Sequence, residues 1–453
     1  MLSKKMQVLT ETVKKLLHCH ADENLKNILA KAHEADIAFC LAQLNVEEQV
    51  QVFALLQDAQ KRAKVLSELQ PDQVASFLQN LGAQKAADIL NLVSPDDAAD
   101  ILEKLADTFS SEILLLLKKE EAAEVESLIR YRPDTAGGIM SPEVFSLPED
   151  LTVAEAIEKI QQSRDVETVF YVYVVNPQGH LVGALSLKKL ILAPPKTLLR
   201  DIIDKDPIRV RLGEDQEEVA RIVSRYNFLS LPVVDEANKL VGVITVDDVI
   251  DVIKEEATED ILLMTGAEKE AMEKTGLKIS LKKRMPWFLV TLVGGFMVSE
   301  VIDKFSSSLV RVSLLAGFIP LLLSMGGSMG TQSMVVVMSS LNSRRMNFVQ
   351  VWSVVFKEFK LALIMGVFYG LVLALFIYLR YGEQPHLPLA LGSVLVLTMI
   401  LSVAMGTFIP LLFQKMGVDP AVATGPFVTT SINIFCMWIY LSIATHFIII
   451  AIP

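Results

Sequence analysis

The sequence predicts a multi-domain chain: an all-α helical-repeat N domain, an α/β domain of two similar modules, a connecting helix, and an α-helical transmembrane domain of five helices. Three observations predict it. A helix-like segment recurs in the first third, a β-β-α pattern recurs in the second, and the remainder holds five long apolar stretches. The expected boundaries are 1–135 for the helical domain, 136–252 for the paired modules (about 136–200 and 201–252), 253–284 for the connecting helix and 285–453 for the membrane domain.

The first repeat is short. PDQVASFLQNL (Pro71–Leu81) returns as PDDAADILEKL (Pro95–Leu105), each with a proline where a helix starts and apolar residues at helical spacing. Residues from about 20 to 130 therefore read as a stack of short helices, which alone implies only a packing or interaction scaffold. In the second repeat HLVGALSLKKL (His180–Leu190) matches KLVGVITVDDV (Lys239–Val249), and YVVNPQG (Tyr173–Gly179) resembles PVVDEAN (Pro232–Asn238). Apolar β-branched runs at Val172–Val175 and Leu231–Val234, with helices near 152–163 and 216–226, give two β-β-α units. This pattern resembles paired CBS modules, whose cleft takes an adenine nucleotide such as ATP or another small regulator. The second copy keeps Thr245 and Asp248 where nucleotide-binding members contact ribose and phosphate; the first has Ser186 followed by Lys189.

The segment Asp251–Arg284 reads as one long helix. Glu255 stands four residues before Glu259, and Glu256 four before Asp260; like charges at that spacing destabilise a helix by a few tenths of a kcal/mol each, roughly. Asp96 and Asp100 repeat the spacing, with Asp97 beside them, and Asp247, Asp248 and Asp251 close the second module. Two readings stand. Acidic faces are commonly just solvated, and acids in a first turn are favoured by the helix dipole. Taken together, the same residues describe a surface that repels itself unless a divalent ion bridges it.

Charge is unevenly divided. Before Pro286 there are 34 basic and 48 acidic residues, net −14; from Pro286 onward 8 basic and 5 acidic, net +3. The acidic half excludes nucleic acid as a partner and favours cations. Mean hydropathy is +0.42 with 52% hydrophobic residues, too apolar for a wholly soluble chain of 453. The cysteines Cys19, Cys40 and Cys436 have no metal-ligand spacing, so neither a zinc site nor a disulfide framework is expected. The N-terminal stretch is helical and polar, so no signal peptide is expected and the first half should stay in the cytoplasm.

The apolar stretches run over 286–304, 309–340, 349–380, 387–414 and 421–452, each near the roughly 20 residues that a span needs. The basic residues Lys282, Lys283, Arg284, Arg344, Arg345 and Lys415 favour a cytoplasmic N-terminus and an extracytoplasmic C-terminus. Pro320, Pro410 and Pro426 free the carbonyls four residues back. The run PLLLSMGGSMGTQS (Pro320–Ser333) places Gly326, Gly327, Gly330, Thr331, Gln332 and Ser333 at membrane depth, as a close helix contact, as a pore lining, or as both. The fifth span carries Asp419 at its mouth, then Thr429, then Asn433 about 20 Å along the helix from Asp419. The amide of Asn433 is either a cation ligand or half of an inter-helix hydrogen bond.

These residues resemble the MgtE family of bacterial Mg2+ channels over nearly the whole chain. RPDTAGGIMSPE (Arg132–Glu143), DQEEVARIV (Asp215–Val223), ITVDDVIDVIKEEATEDI (Ile244–Ile261), MGGSMGTQS and DPAVATGPFVTT (Asp419–Thr430) carry the likeness. The resemblance implies a homodimer in the plasma membrane, with a pore on the dimer axis and a plug helix held shut by cytoplasmic Mg2+. It implies Asp96, Asp100, Asp248, Glu259 and Asp260 as sensor ligands, with Glu217 in a further site. Two departures go with it: Asn433 stands where the family has a pore acid, and Asn227 where an aspartate is usual. The expected function is a Mg2+ channel gated by its own ion, without enzymatic activity. The alternatives are a secondary transporter of another divalent cation such as Co2+, coupled through Glu300 and Asp303, or a membrane-anchored CBS sensor that transports nothing.

Overall fold

A computed structural model describes residues 2–69, 71–163, 170–264, 277–342, 348–381, 386–416 and 420–451. The chain forms two compact units, Met1–Glu255 and Glu256–Pro453.

Ten short helices open the first unit: α1 (Leu2–His18), α2 (Asp22–Lys31), α3 (Glu34–Leu41), α4 (Val46–Leu55), α5 (Ala59–Ser67), α6 (Pro71–Leu81), α7 (Ala83–Leu90), α8 (Pro95–Glu103), α9 (Asp107–Leu116) and α10 (Lys119–Ile129). Their starts are chemically marked. Asn45 and Glu48 form a reciprocal capping box at α4, the Asp58 side chain caps α5, and Pro95 takes the first position of α8. Many of the helices pack on the one two places further along, α1 on α3, α3 on α5, α4 on α6, α6 on α8 and α8 on α10, which stacks them as a solenoid. The apolar stripe of each faces inward, so Leu25, Leu29, Leu66, Leu78, Leu90 and Leu102 are almost wholly buried. Leu78→Ala at such a position costs about 2–5 kcal/mol.

The two modules follow as β1 (Ser146–Pro148), α11 (Val153–Gln162), β2 (Tyr171–Val175), β3 (Leu181–Ser186), α12 (Leu187–Leu192), α13 (Leu199–Ile202) and β4 (Asp204–Lys205), then β5 (Val210–Arg211), α14 (Gln216–Tyr226), β6 (Ser230–Val234) and β7 (Leu240–Thr245). The copies agree in detail. β1 is parallel to β2 and β2 antiparallel to β3, with a register shift at Val174/Val175; β5, β6 and β7 repeat this with the shift at Val233/Val234. At the contact between copies Leu181 N–H donates to Asn238 O, and Leu240 N–H donates to Gly179 O. The Tyr173 hydroxyl lies 2.9 Å from Ser230 Oγ in the buried centre. Helix α15 (Val246–Met264) leaves the second copy. It begins five residues before the long helix expected at Asp251, because Thr245 and Asp248 cap it; residues 265–276 of that expected helix lie outside the described residues. The apolar core of the solenoid continues through Ala136 and Met140 into Val210, Ile244 and Val249 of the second module.

In the second unit come α16 (Leu277–Lys304), α17 (Ser306–Arg311), α18 (Leu314–Asn342), α19 (Phe348–Tyr381), α20 (Leu387–Lys415) and α21 (Pro420–Ala451). Five of these helices are long and apolar enough to cross a membrane. Helix α16 runs through Pro286 rather than starting there; the carbonyl freed is that of Lys282, in the polar leader of the helix. The second span starts at Leu314, later than the expected 309, because the chain leaves helical geometry at Val312 (φ −131°, ψ 80°). Glycines set the tightest approaches. A side chain on Gly330 would meet Ile432 and the Ser402 carbonyl, and one on Gly406 would strike the backbone of Gly330, so α18 and α20 meet there almost backbone to backbone, with the Ile432 side chain of α21 against the same glycine.

Candidate functional site

Four aspartates gather where α8 meets the start of α15, all inside the first unit. Asp96, Asp97 and Asp100 lie on one flank of α8, and Asp248 lies in the first turn of α15. Ser141 donates to Asp96 Oδ1 at 3.3 Å and Ser94 to Asp97 Oδ2 at 2.9 Å. Thr245 donates its backbone N–H at 3.2 Å and its hydroxyl at 2.5 Å to Asp248 Oδ2. The pair Thr245 and Asp248, expected at a nucleotide, is thus engaged with itself as a helix cap.

These hydrogen bonds do not offset burial and mutual repulsion. Burial raises the Asp96 carboxyl against the hydrogen bonds it receives. Burial, then the charge of Asp96, pushes Asp97 up to about 6. Burial, then Asp97, Glu103, Asp96 and Glu255, push Asp100 up to about 7. Asp248 is also pushed up to about 7, by burial and then by Asp96 and Asp247, against the lowering bonds from Thr245. Asp100 is exposed to solvent although the neighbouring acids crowd it. Among the described residues no three of His, Cys, Asp or Glu converge closely enough to hold a metal ion directly. The donor set is nonetheless all oxygen and strongly anionic, which suits a hard cation that keeps its water, as Mg2+ does.

The remaining expected sensor residues lie on other stretches of the chain. Glu217 is exposed in the first turn of α14, where Asp215 accepts its backbone N–H at 2.8 Å. Glu259 and Asp260 lie further along α15, in the part assigned to the second unit. Asn227 has a conformational reason of its own: it ends α14 in the left-handed region (φ 54°, ψ 43°), which Asn tolerates better than most side chains.

In the membrane helices the polar run of α18 divides by face. Gly326 and Gly330 turn inward against α20 and α21, as the close-contact reading expected, while Thr331 and Gln332 are exposed on this chain. Ser333 turns inward and donates to Glu358 Oε2 of α19 at 2.8 Å, both side chains buried. Sequence reasoning missed that carboxylate: between Lys357 and Lys360 it reads as one more charge in a basic stretch. Only its phase, one residue off the basic face, signalled that it points inward. In α21, Thr429 donates to its own helix at Gly425 O, 2.9 Å away. Half-buried Asn433 makes no hydrogen bond among the described residues, so the inter-helix bond that was its alternative role is not formed among them. Asp419 lies outside the described residues.

Comparison with known proteins follows the same division. Residues 319–443 match the family model described as a divalent cation transporter, 32–134 the MgtE intracellular N domain, and 136–196 and 199–255 the CBS domain. The magnesium transporter MgtE of Thermus thermophilus is 35% identical over 93% of this chain and 94% of its own length. That of Bacillus subtilis is 36% identical over 72% of each. Among solved structures, the soluble part of a magnesium transporter covers 56% of this chain and 99% of its own (32% identity, TM-score 0.52). The cytosolic domain of the Mg2+ channel MgtE in complex with ATP covers 54% and 99% (38% identity, TM-score 0.51). With a helical N domain, tandem CBS modules and five apolar helices in the order of those relatives, the chain belongs to the MgtE family.

Proposed function

We propose that this chain is a Mg2+ channel of the bacterial plasma membrane, opened and closed by cytoplasmic Mg2+. The observation that carries it is the aspartate cluster: four carboxylates whose charged forms are disfavoured by burial and by one another. At low Mg2+ the repulsion pushes α8 and the first turn of α15 apart. Hydrated Mg2+ neutralises Asp96, Asp97, Asp100 and Asp248 and lets the two close. Helix α15 runs unbroken from Val246, beside that cluster, to Met264. Glu259, Asp260 and Glu217 join the sensor by resemblance to the family, which also implies a plug helix over 253–284 and a homodimer.

Ion passage follows from the membrane half. Thr331 and Gln332 are polar and exposed on the single chain, near the edge of the apolar span and beside the buried Ser333–Glu358 pair. A second copy or a water-filled pore on that side satisfies them, and Asn433 adds a neutral oxygen suited to a hydrated ion. ATP, which the cited cytosolic-domain structure contains, is the ligand proposed for the CBS cleft, as a regulator rather than a substrate of catalysis. The N-terminal half lies in the cytoplasm and the C-terminus outside.

The test is Mg2+ flux into liposomes holding the full chain at varied internal Mg2+. Uptake that falls as internal Mg2+ rises to millimolar supports the proposal. No uptake at any internal concentration favours a sensor without transport, and uptake that requires a Na+ or pH gradient favours a coupled transporter.

A further inference from the structure

We propose that Lys357 and Lys360 hold the head group of an anionic phospholipid at the membrane surface, a boundary that the aromatic cluster of Trp352, Phe356 and Phe408 also marks. Helix α19 has 34 residues and is about 51 Å long, well beyond the roughly 30 Å of a hydrocarbon core, so part of it must stand in the head-group layer. Its composition says which part. From Leu361 to Leu379 it carries no charge, and Lys360 to Arg380 spans 20 residues, about 30 Å. One end of the apolar span is therefore marked by the lysines, the other by Arg380, whose guanidinium lies 5.4 Å from the Tyr381 ring centre.

The lysines face the lipid. At 100° per residue Lys357 and Lys360 share a stripe with Ile364, Phe368, Leu371 and Leu375, all exposed large apolar side chains. Glu358, the neighbouring acid, is turned inward to Ser333 and does not neutralise them. Among the described residues no carboxylate lies within ion-pair distance of either lysine. Two cations thus stand uncompensated at the top of an apolar face.

Aromatic rings mark the same boundary. Trp352 lies 6.2 Å from Phe356 and 6.1 Å from Phe408 between ring centres, and Phe359 lies 6.2 Å from Phe408, bridging α19 and α20 near that end of the apolar span. Phe356 and Phe408 are 63% and 43% exposed. Rings collected at the boundary of an apolar span mark the interface, and two ammonium groups there recognise a phosphodiester that carries no cation of its own. A zwitterionic head group brings its own cation and gains less.

This inference rests on the helices spanning a membrane and not on what crosses it, so its test uses no transport. Full-length protein keeping only Trp352 (W287F/W438F) is placed in phosphatidylcholine vesicles containing an equal share of brominated phosphatidylglycerol or brominated phosphatidylcholine, and quenching of Trp352 is read. Stronger quenching by the brominated anionic lipid is expected, an effective preference of up to roughly thirtyfold for two lysines. The preference is lost in K357Q/K360Q and kept in K357R/K360R. Equal quenching by both lipids, no quenching by either, or a preference that survives K357Q/K360Q overturns the proposal.

Discussion

Asp248→Asn isolates the repulsion on which the gating reading depends. Asparagine keeps an oxygen for the two bonds from Thr245 and removes only the charge. A carboxyl carried from 3.8 to about 7 corresponds, at 1.36 kcal/mol per pH unit, to about 4 kcal/mol of disfavoured charge. The site is partly open and salt screens it, so about 1–2 kcal/mol of that is a realistic yield. The sign follows from linkage. A folded-state carboxyl raised above its unfolded value holds its proton more tightly in the folded protein, so its stabilising contribution is present below pH 4 and is lost as pH rises through about 7. Without Mg2+ at pH 8, Asp248→Asn should therefore slow hydrogen exchange in α8 and the first turns of α15 by about 5–30-fold, and the gain should vanish near pH 4. It should also shrink the protection that Mg2+ adds to wild type. Faster exchange in the variant at pH 8, or the same gain at both pH values, would refute the reasoning.

Millimolar Mg2+ should protect the first unit of the full chain from protease by removing the local opening that repulsion causes; equal digestion in Mg2+ and in EDTA counts against this. Asn433→Leu should abolish Mg2+ uptake and Asn433→Asp should strengthen uptake or block, because the first removes the oxygen and the second adds charge; unchanged uptake in the leucine variant takes Asn433 out of the pathway. Gly406→Ala should destabilise the membrane domain by about 1–3 kcal/mol, since the new methyl group collides with the Gly330 backbone and not with a movable side chain. Thermal unfolding in detergent measures it, and Gly327→Ala, which meets nothing within 4 Å, serves as the comparison.

The solenoid, the paired modules and the five spans were legible in the chain because each is a local pattern repeated. Prolines at helix starts, a β-β-α unit copied at a fixed offset, and apolar runs of membrane length announce themselves without partners. The copying extended to features no periodicity names, such as the register shift after Val174 and again after Val233. Boundaries were less legible: α15 starts at Val246 because of a cap, and the second span starts at Leu314 because of a break at Val312.

The candidate site divided in the same way. Sequence spacing grouped Asp96 with Asp100 and placed Asp248 at a helix start, since these are relations within one helix. That α8 and the start of α15 face each other was decided by tertiary packing, through a shared core reaching from the solenoid to Ile244 and Val249. So was the state of those acids, because a carboxylate's cost depends on the other charges and the water around it, and a linear chain records neither. Glu358 shows this most clearly. As text it is one charge among three in a basic stretch; in the fold it turns to Ser333 and leaves its two lysines facing outward alone. Sequence alone determined which elements form and what they are made of, because local periodicity encodes them. Which side chains meet, and which charges are left without a partner, was settled only by the packing of elements far apart along the chain.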